Sequence, residues 1–310
     1  METITIPDYL KTDYPFHSNF LTVEHQGKSY RLNYVDEKPI QSTNAEDIET
    51  IIMVHGNPTW SFFYRNLIKH FKKNYRIIVP DHLGCGLSDK PTDFSYQLKD
   101  HINNLESLVD HLKLKKYHLI VHDWGGAIGS GLAVHQPEKV LSITYMNTGA
   151  FTSDKIPWRI DILRKYDWGE WLIRKFNAFA MPATFMAVEK PLSKTTIDGY
   201  LLPYNNYQNR IATAKFVKDI PMDETHPSFT TLKSIELNLH KIKAPVLLMW
   251  GAKDFCFTMD FFHRFKEFFP NSEEKVFPNA GHYLLEDEPK ATLETIENFY
   301  ANIKGTKIEH

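Results

Sequence analysis

The run Tyr117-His118-Leu119-Ile120-Val121-His122-Asp123-Trp124-Gly125-Gly126 leaves the backbone few options. Its first half, YHLIV, is an unbroken apolar stretch of the kind that forms a buried strand. Two glycines follow, and then Ala127, Ile128, Gly129 and Ala133, small residues that open a helix and let it pack close to the strand. A strand that turns so abruptly into a helix presents its corner side chain at the carboxyl edge of a parallel sheet. Here that side chain is Asp123, where a serine usually stands. Val121 takes the place of the serine version's first glycine.

An aspartate at the corner has a chemical consequence. A carboxylate with an ordinary pKa of about 3.9 is ionised at neutral pH and needs no base to become a nucleophile. Attack on a saturated carbon gives an ester, which water can reopen at the Asp carbonyl. A serine attacking the same carbon would give an inert ether. The residue choice therefore points to substrates whose electrophilic carbon is alkyl rather than acyl.

The chain of 310 residues is 42% hydrophobic and 24% charged, enough for one sizeable core with an insertion. A formal net charge of −2 gives no overall electrostatic reason to expect nucleic acid or an anionic membrane as partner. No window reaches the roughly 18 apolar residues of a membrane span, and METITIPDYL lacks the basic and apolar regions of a secretory leader. Cys85 and Cys256 match no metal or redox spacing and suit a cytoplasmic location.

Residues 20–37 read as a hairpin turning at Gln26-Gly27, followed by a polar link over 41–50. Apolar runs at 50–56, 75–84, 117–121, 140–147 and 244–251 read as buried strands, with another strand in the segment 273–282. Helical segments separate them, at about 60–71, at 98–112 with apolar residues three and four apart, after Asp123, and over 258–269. Pro289 starts the last helix. This alternation predicts an α/β fold with a mostly parallel, doubly wound sheet. It is interrupted between about 150 and 230, where proline-broken helical stretches carry Trp158, Trp168, Trp171, Phe179, Phe185 and Tyr200 among other aromatics. That segment is expected to be a helical cap inserted into a core of residues 1–149 and 231–310. Its aromatics roof an apolar pocket, form the cap's own small core, or do both.

Asp254 follows the strand VLLMWG, and His282 sits in NAGHYLL after the last strand. Nucleophile, acid, histidine is the chain order of the α/β-hydrolase triad, and all three candidates lie at carboxyl ends of strands. His282 stands out among fifteen histidines because Gly281 precedes it and a final strand and helix frame it. It would serve as the base, with Asp254 fixing its tautomer; Asp260 is the nearby alternative acid. His55-Gly56-Asn57-Pro58-Thr59-Trp60 follows the third strand, where an oxyanion loop belongs. The backbone N–H groups of Asn57 and Trp124, with the Asn57 carboxamide and Trp124 indole, would cradle a departing anion. His118 and His122 lie about 13 Å apart along a strand, too far to share a metal.

HGNPTW, DHLGCGLSDKP, VHDWGG and the late Gly281-His282 resemble the haloalkane dehalogenase superfamily over nearly the whole chain. A finer resemblance, through HGNPTWSFFYRNL, VHDWGGAIG and NRIATAKFVKDIP (209–221), is to the β-lactone decarboxylases of bacterial long-chain olefin biosynthesis. The resemblance implies Asp123 as nucleophile, His282 and Asp254 as its partners, and Asn57 with Trp124 as anion-stabilising donors. It also implies a cis-3,4-dialkyl β-lactone as substrate and a cis-alkene with CO2 as products. No metal or organic cofactor is required, and assembly with a β-lactone-forming ligase is expected. Members with the acid after the sixth strand are known, but that position here reads Asn147-Thr148-Gly149. Three alternatives stay open: haloalkane dehalogenation by the same five residues, epoxide hydrolysis using Tyr200, Tyr204 or Tyr207, and a silent family member acting as a binding module.

Overall fold

The computed structural model describes residues 4–39 and 48–308. Most of the polar link over 41–50 lies outside these described residues. β1 (Asn19–His25) and β2 (Lys28–Glu37) form the expected hairpin, and Gln26 and Gly27 at its turn have φ of 49° and 76°. Two successive positive φ values suit the twist of the paired strands, and glycine takes the second at no steric cost.

The sheet is completed by β3 (Thr50–Val54), β4 (Arg76–Pro80), β5 (Tyr117–Asp123), β6 (Val140–Thr148), β7 (Val246–Gly251) and β8 (Glu273–Phe277). Its order is β1-β2-β4-β3-β5-β6-β7-β8. β2 runs antiparallel to β1 and β4, and the remaining pairs are parallel. β4 and β8 are shorter than the apolar runs suggested. β4 ends where the buried Asp81 carboxylate accepts the N–H groups of Ser61 and Leu87, drawing the chain into a loop. β8 ends before Pro278, which has no N–H for the ladder.

Helices α1 (Arg65–Phe71), α2 (Leu98–His111) and α3 (Trp124–His135) alternate with the strands up to β6. The segment expected to be helical from Trp60 opens instead with a 3-10 turn over Ser61–Tyr64 before α1. Between β6 and β7 lie α4 (Trp158–Lys165), α5 (Asp167–Phe176), α6 (Ala180–Met186), α7 (Lys194–Leu201), α8 (Ile211–Lys218) and α9 (Phe229–Asn238). After β7 come α10 (Met259–Phe268), α11 (Leu284–Asp287) and α12 (Pro289–Ile308).

Side chains alternate across the sheet, so one strand feeds two cores. Ile51, Met53, Ile77 and Ile120 pack with Phe71 of α1 and Phe299 of α12 on one face. Ile52, Val54, Leu119 and Val121 pack with Ile102 of α2 and Ile128 of α3 on the other. Helices on both faces explain why β3, β5 and β7 are buried along their whole length.

The inserted helices are fastened to the strands' carboxyl side by buried polar contacts. Asp219, at the end of α8, accepts the Leu98 N–H at 2.8 Å and so caps the start of α2. Tyr200 of α7 donates to Glu286, which also holds Arg65 in a two-pronged ion pair at 2.5 and 2.9 Å. The Trp60 indole donates to the Gly199 carbonyl at 3.0 Å.

Candidate active site

Asp123 closes β5 and starts the turn into α3, with φ 54° and ψ −128°. A non-glycine residue held there costs about 1–3 kcal/mol, so neighbouring contacts must impose it. Gly125 lets the turn press against β3: a Cβ there would sit 2.0 Å from the Val54 carbonyl oxygen. The Thr148 hydroxyl, at the end of β6, donates to the Asp123 carbonyl. The corner is thereby wedged between its two neighbouring strands.

The loop after β3 reaches the same carboxylate. Gly56 passes so close that a Cβ would lie 2.0 Å from Asp123 Oδ1. The next residue, Asn57, donates its backbone N–H to that oxygen at 2.6 Å, and the Trp124 N–H adds a second donor. One N–H of the Asn57 carboxamide is taken by the Thr213 carbonyl of α8 at 3.1 Å. The Trp124 ring lines the cavity described below, and its indole N–H makes no hydrogen bond among the described residues.

His282 follows β8. Its Nδ1–H donates to Asp254 Oδ2 at 2.7 Å, while Nε2 faces Asp123 Oδ2 across 3.6 Å, longer than a hydrogen bond. Asp254 is oriented in turn by the Cys256 N–H at 2.7 Å from its Oδ1. All three side chains are buried. Asp260, the alternative acid, lies outside this cluster on the exposed face of α10, paired with Lys155. Near the end of β6, Asn147 accepts the Gly251 N–H at 2.8 Å and donates to the Gly251 carbonyl at 3.1 Å, clamping the end of β7.

Burial raises the Asp123 pKa, opposed by the charge of His282 and by the N–H groups of Asn57 and Trp124. At His282 burial acts downward, but the Asp254 carboxylate attracts and hydrogen-bonds the imidazolium, Asp123 adds to the attraction, and the net shift is upward. A carboxylate desolvated yet ionisable and a histidine biased toward its cation can together carry transient charge in an apolar site.

Three supporting residues had no signature in the sequence pattern: Thr148, His122 and Asp287. Each acts across a long stretch of chain, so no local spacing could reveal it. His122 stacks on Phe63 and donates Nε2–H to the His282 carbonyl at 2.9 Å, and burial keeps it neutral. Asp287 Oδ2 accepts the Gly281 N–H at 2.7 Å, and Oδ1 accepts those of Glu189 and Lys190 at 2.9 and 3.0 Å. The Tyr283 N–H donates to the Ala187 carbonyl at 2.7 Å. The histidine loop is thus tied to residues 187–190 of the insertion. Asp287→Ala strands three donors at about 1–3 kcal/mol for each that stays buried. It is expected to lower the melting temperature by several degrees and kcat more than KM, measured by calorimetry and steady-state kinetics.

A cavity of about 380 Å³ opens over Asp123, Asn57, Trp124 and His282. Its walls are apolar, with Phe257 and Phe261 from the core side and Phe151, Ile160, Leu163 and Met186 from the insertion. Of the insertion aromatics singled out in the sequence, which leaves open their role as pocket roof or cap core, Phe179 alone lines the pocket. Tyr200 and Tyr204 are buried, donating to Glu286 and to the Thr59 carbonyl, while Trp158, Trp168, Trp171, Phe176 and Phe185 face solvent. Helices this short expose one side when the other faces a cavity. Among the described residues no three His, Cys, Asp or Glu side chains gather to hold a metal, and no helix is long and apolar enough to cross a membrane.

Strand order, corner aspartate and the Asp–His pair define an α/β-hydrolase superfamily enzyme. Residues 49–289 match the family described as alpha/beta hydrolase fold, and the chain belongs to that family. It is 39% identical over 298 residues to the cis-3-alkyl-4-alkyloxetan-2-one decarboxylase of Shewanella oneidensis, covering 94% of this chain and 90% of that one. A protein of the same name from Xanthomonas campestris is 35% identical over 86% of this chain and 91% of its own length. Haloalkane dehalogenase 2 of Mycobacterium tuberculosis is 30% identical over 92% of this chain and 96% of its own. The fold superposes on the crystal structure of a haloalkane dehalogenase from Bradyrhizobium elkani with a TM-score of 0.82, at 24% identity, covering 94% of this chain and all of that one.

Proposed function

We propose that the enzyme converts cis-3,4-dialkyl β-lactones to cis-alkenes and CO2, with Asp123 as nucleophile, His282 and Asp254 as its charge partners, and Asn57 and Trp124 as anion donors. The observation that carries this reading is a corner carboxylate opening onto an apolar cavity, in a chain 39% identical to the Shewanella oneidensis decarboxylase. The helices of 150–230 act as the cap over the reacting carbons.

In this reading an Asp123 oxygen attacks ring carbon C4 from the side opposite the ring oxygen. The C4–O bond breaks, its electron pair goes to the lactone oxygen, and a free carboxylate forms beside an aspartyl ester. The Trp124 indole and the amide donors near Asn57 stabilise that carboxylate as they would a halide. Inversion leaves the ester and carboxylate anti to one another. The C3–carboxylate bond then supplies the electrons of the alkene, CO2 departs, and Asp123 leaves as a carboxylate. Backside attack followed by anti-fragmentation turns a cis-lactone into a cis-alkene, with no water consumed. His282 stabilises charge on Asp123 at both steps.

An apolar, strained substrate is poorly suited to diffusion through water, so assembly with a lactone-forming ligase is part of the proposal. So is a cytoplasmic location, where the free thiols of Cys85 and Cys256 persist. The test gives purified enzyme a cis-β-lactone, a bromoalkane and an epoxide, and measures olefin, halide and diol. Olefin from the lactone with little halide is expected. Rapid halide release without olefin would establish dehalogenation instead, the reading favoured by the 30% identity to the mycobacterial enzyme. Epoxide opening is disfavoured because the phenols of Tyr200 and Tyr204 are engaged elsewhere and Tyr207 faces solvent.

A further inference from the structure

The aromatics that miss the cavity form a surface that ordinary solvent exposure does not explain. Trp158 is 67% exposed, Phe176 59% and Phe185 62%, with Ile162, Trp168 and Trp171 also open to solvent. They sit on α4, α5 and α6. Two of these helices, α4 and α6, also line the cavity, through Ile160 and Leu163 and through Pro182 and Met186. Each therefore has apolar residues on its inner and its outer side. From Phe176 to Val188 there is no charged side chain at all. Apolar side chains thus stand on both the solvent side and the cavity side of α4 and α6, and large exposed aromatics in such number mark an interaction face.

Charge decides what the face meets. The helices of this face, α4, α5 and α6, carry five Lys and Arg against three Asp and Glu, whereas the whole chain has a net charge of −2. Asp161 and Glu170 are each shared by two cations. Arg159 and Lys175, both exposed, have no carboxylate partner among the described residues. Exposed Trp and Phe beside unneutralised cations is the composition of a surface that lies in the headgroup layer of an anionic bilayer.

We infer that this face of the insertion docks reversibly on an anionic membrane, placing the cavity rim against the lipid from which the substrate partitions. The delivery role rests on the lipophilic substrate proposed above; the docking does not. The test is co-sedimentation of the full chain with vesicles of phosphatidylcholine alone or mixed with phosphatidylglycerol, read together with Trp quenching by brominated lipid. Wild type is expected to pellet with the anionic vesicles, to be released by high salt, and to be quenched. Trp158→Gln with Phe176→Gln and Phe185→Gln should weaken partitioning by roughly tenfold or more, and Lys175→Glu by a few-fold, with circular dichroism unchanged. Turnover of a short, water-soluble lactone should be the same in wild type and triple variant. Vesicle binding without lactone turnover would remove the proposed reaction and leave the docking. Lactone turnover by a protein that stays in the supernatant would overturn the docking. So would concentration-dependent dimerisation, in the absence of lipid, that the triple variant abolishes, or capture of this face by the ligase alone.

Discussion

Asp123→Asn is expected to abolish alkene formation, by about ten-thousandfold or more, because a neutral amide cannot form the ester on which every later step depends. The fold should survive. Asn keeps nearly the same size and an oxygen that can accept the Asn57 N–H, so the contacts that impose the strained corner remain. Stability is expected to rise rather than fall at neutral pH. The folded pKa of Asp123 is raised by burial, so between the ordinary carboxylate pKa and that raised value the native state holds a proton that the unfolded chain has released. Keeping the carboxylate ionised in the fold therefore costs free energy above that raised pKa, and the cost vanishes as pH falls below the ordinary carboxylate pKa. Calorimetry across pH would show the gain of the Asn variant at pH 7 shrinking on acidification, alongside lost activity. Retained turnover would remove Asp123 from its role.

His282→Gln is expected to split two reactions that share one nucleophile. Hydrolysis of an alkyl ester needs a base to deprotonate water, and losing it costs about a hundred- to ten-thousandfold. With a bromoalkane, the variant should release one halide per site and stall as an alkylated enzyme. With a β-lactone, fragmentation needs no water, so the loss should stay within about tenfold of wild type. The same logic sets the pH profiles. Wild-type hydrolysis needs neutral His282, whose pKa is raised by Asp254 and Asp123 against burial, so its rate falls as pH drops through that raised value. Lactone turnover needs only ionised Asp123, so its acid limb should lie at lower pH. Coincident limbs, or equal losses on both substrates, would mean that water participates in both.

Much of this site was legible because the informative residues are local. Asp123 lies in a strand–turn–helix pattern that only a tight corner satisfies, Asp254 follows an apolar strand closely, and Gly281 with the framing strand and helix marks His282. The apolar runs likewise read as buried strands because helices cover both sheet faces. What stayed hidden depends on distant partners. Thr148 acts on a carbonyl 25 residues away, and Asp287 reaches back 98 residues to Glu189. The role of the insertion's aromatics stayed open for a related reason. Composition records that Trp158 and Phe185 are apolar but not which side of a short helix faces the cavity, and both point outward.

Covalent chemistry at Asp123 is most directly tested by rapid acid quenching of a single turnover with a cis-β-lactone, followed by mass analysis of the tryptic peptide 117–139. Acid protonates the newly freed carboxylate and blocks its loss as CO2, so the ester is preserved. The peptide is expected to gain the full mass of the lactone, with fragmentation spectra placing it on Asp123. Complete conversion to alkene with that peptide unmodified at every quench time, or the added mass on another residue, would contradict nucleophilic attack by Asp123.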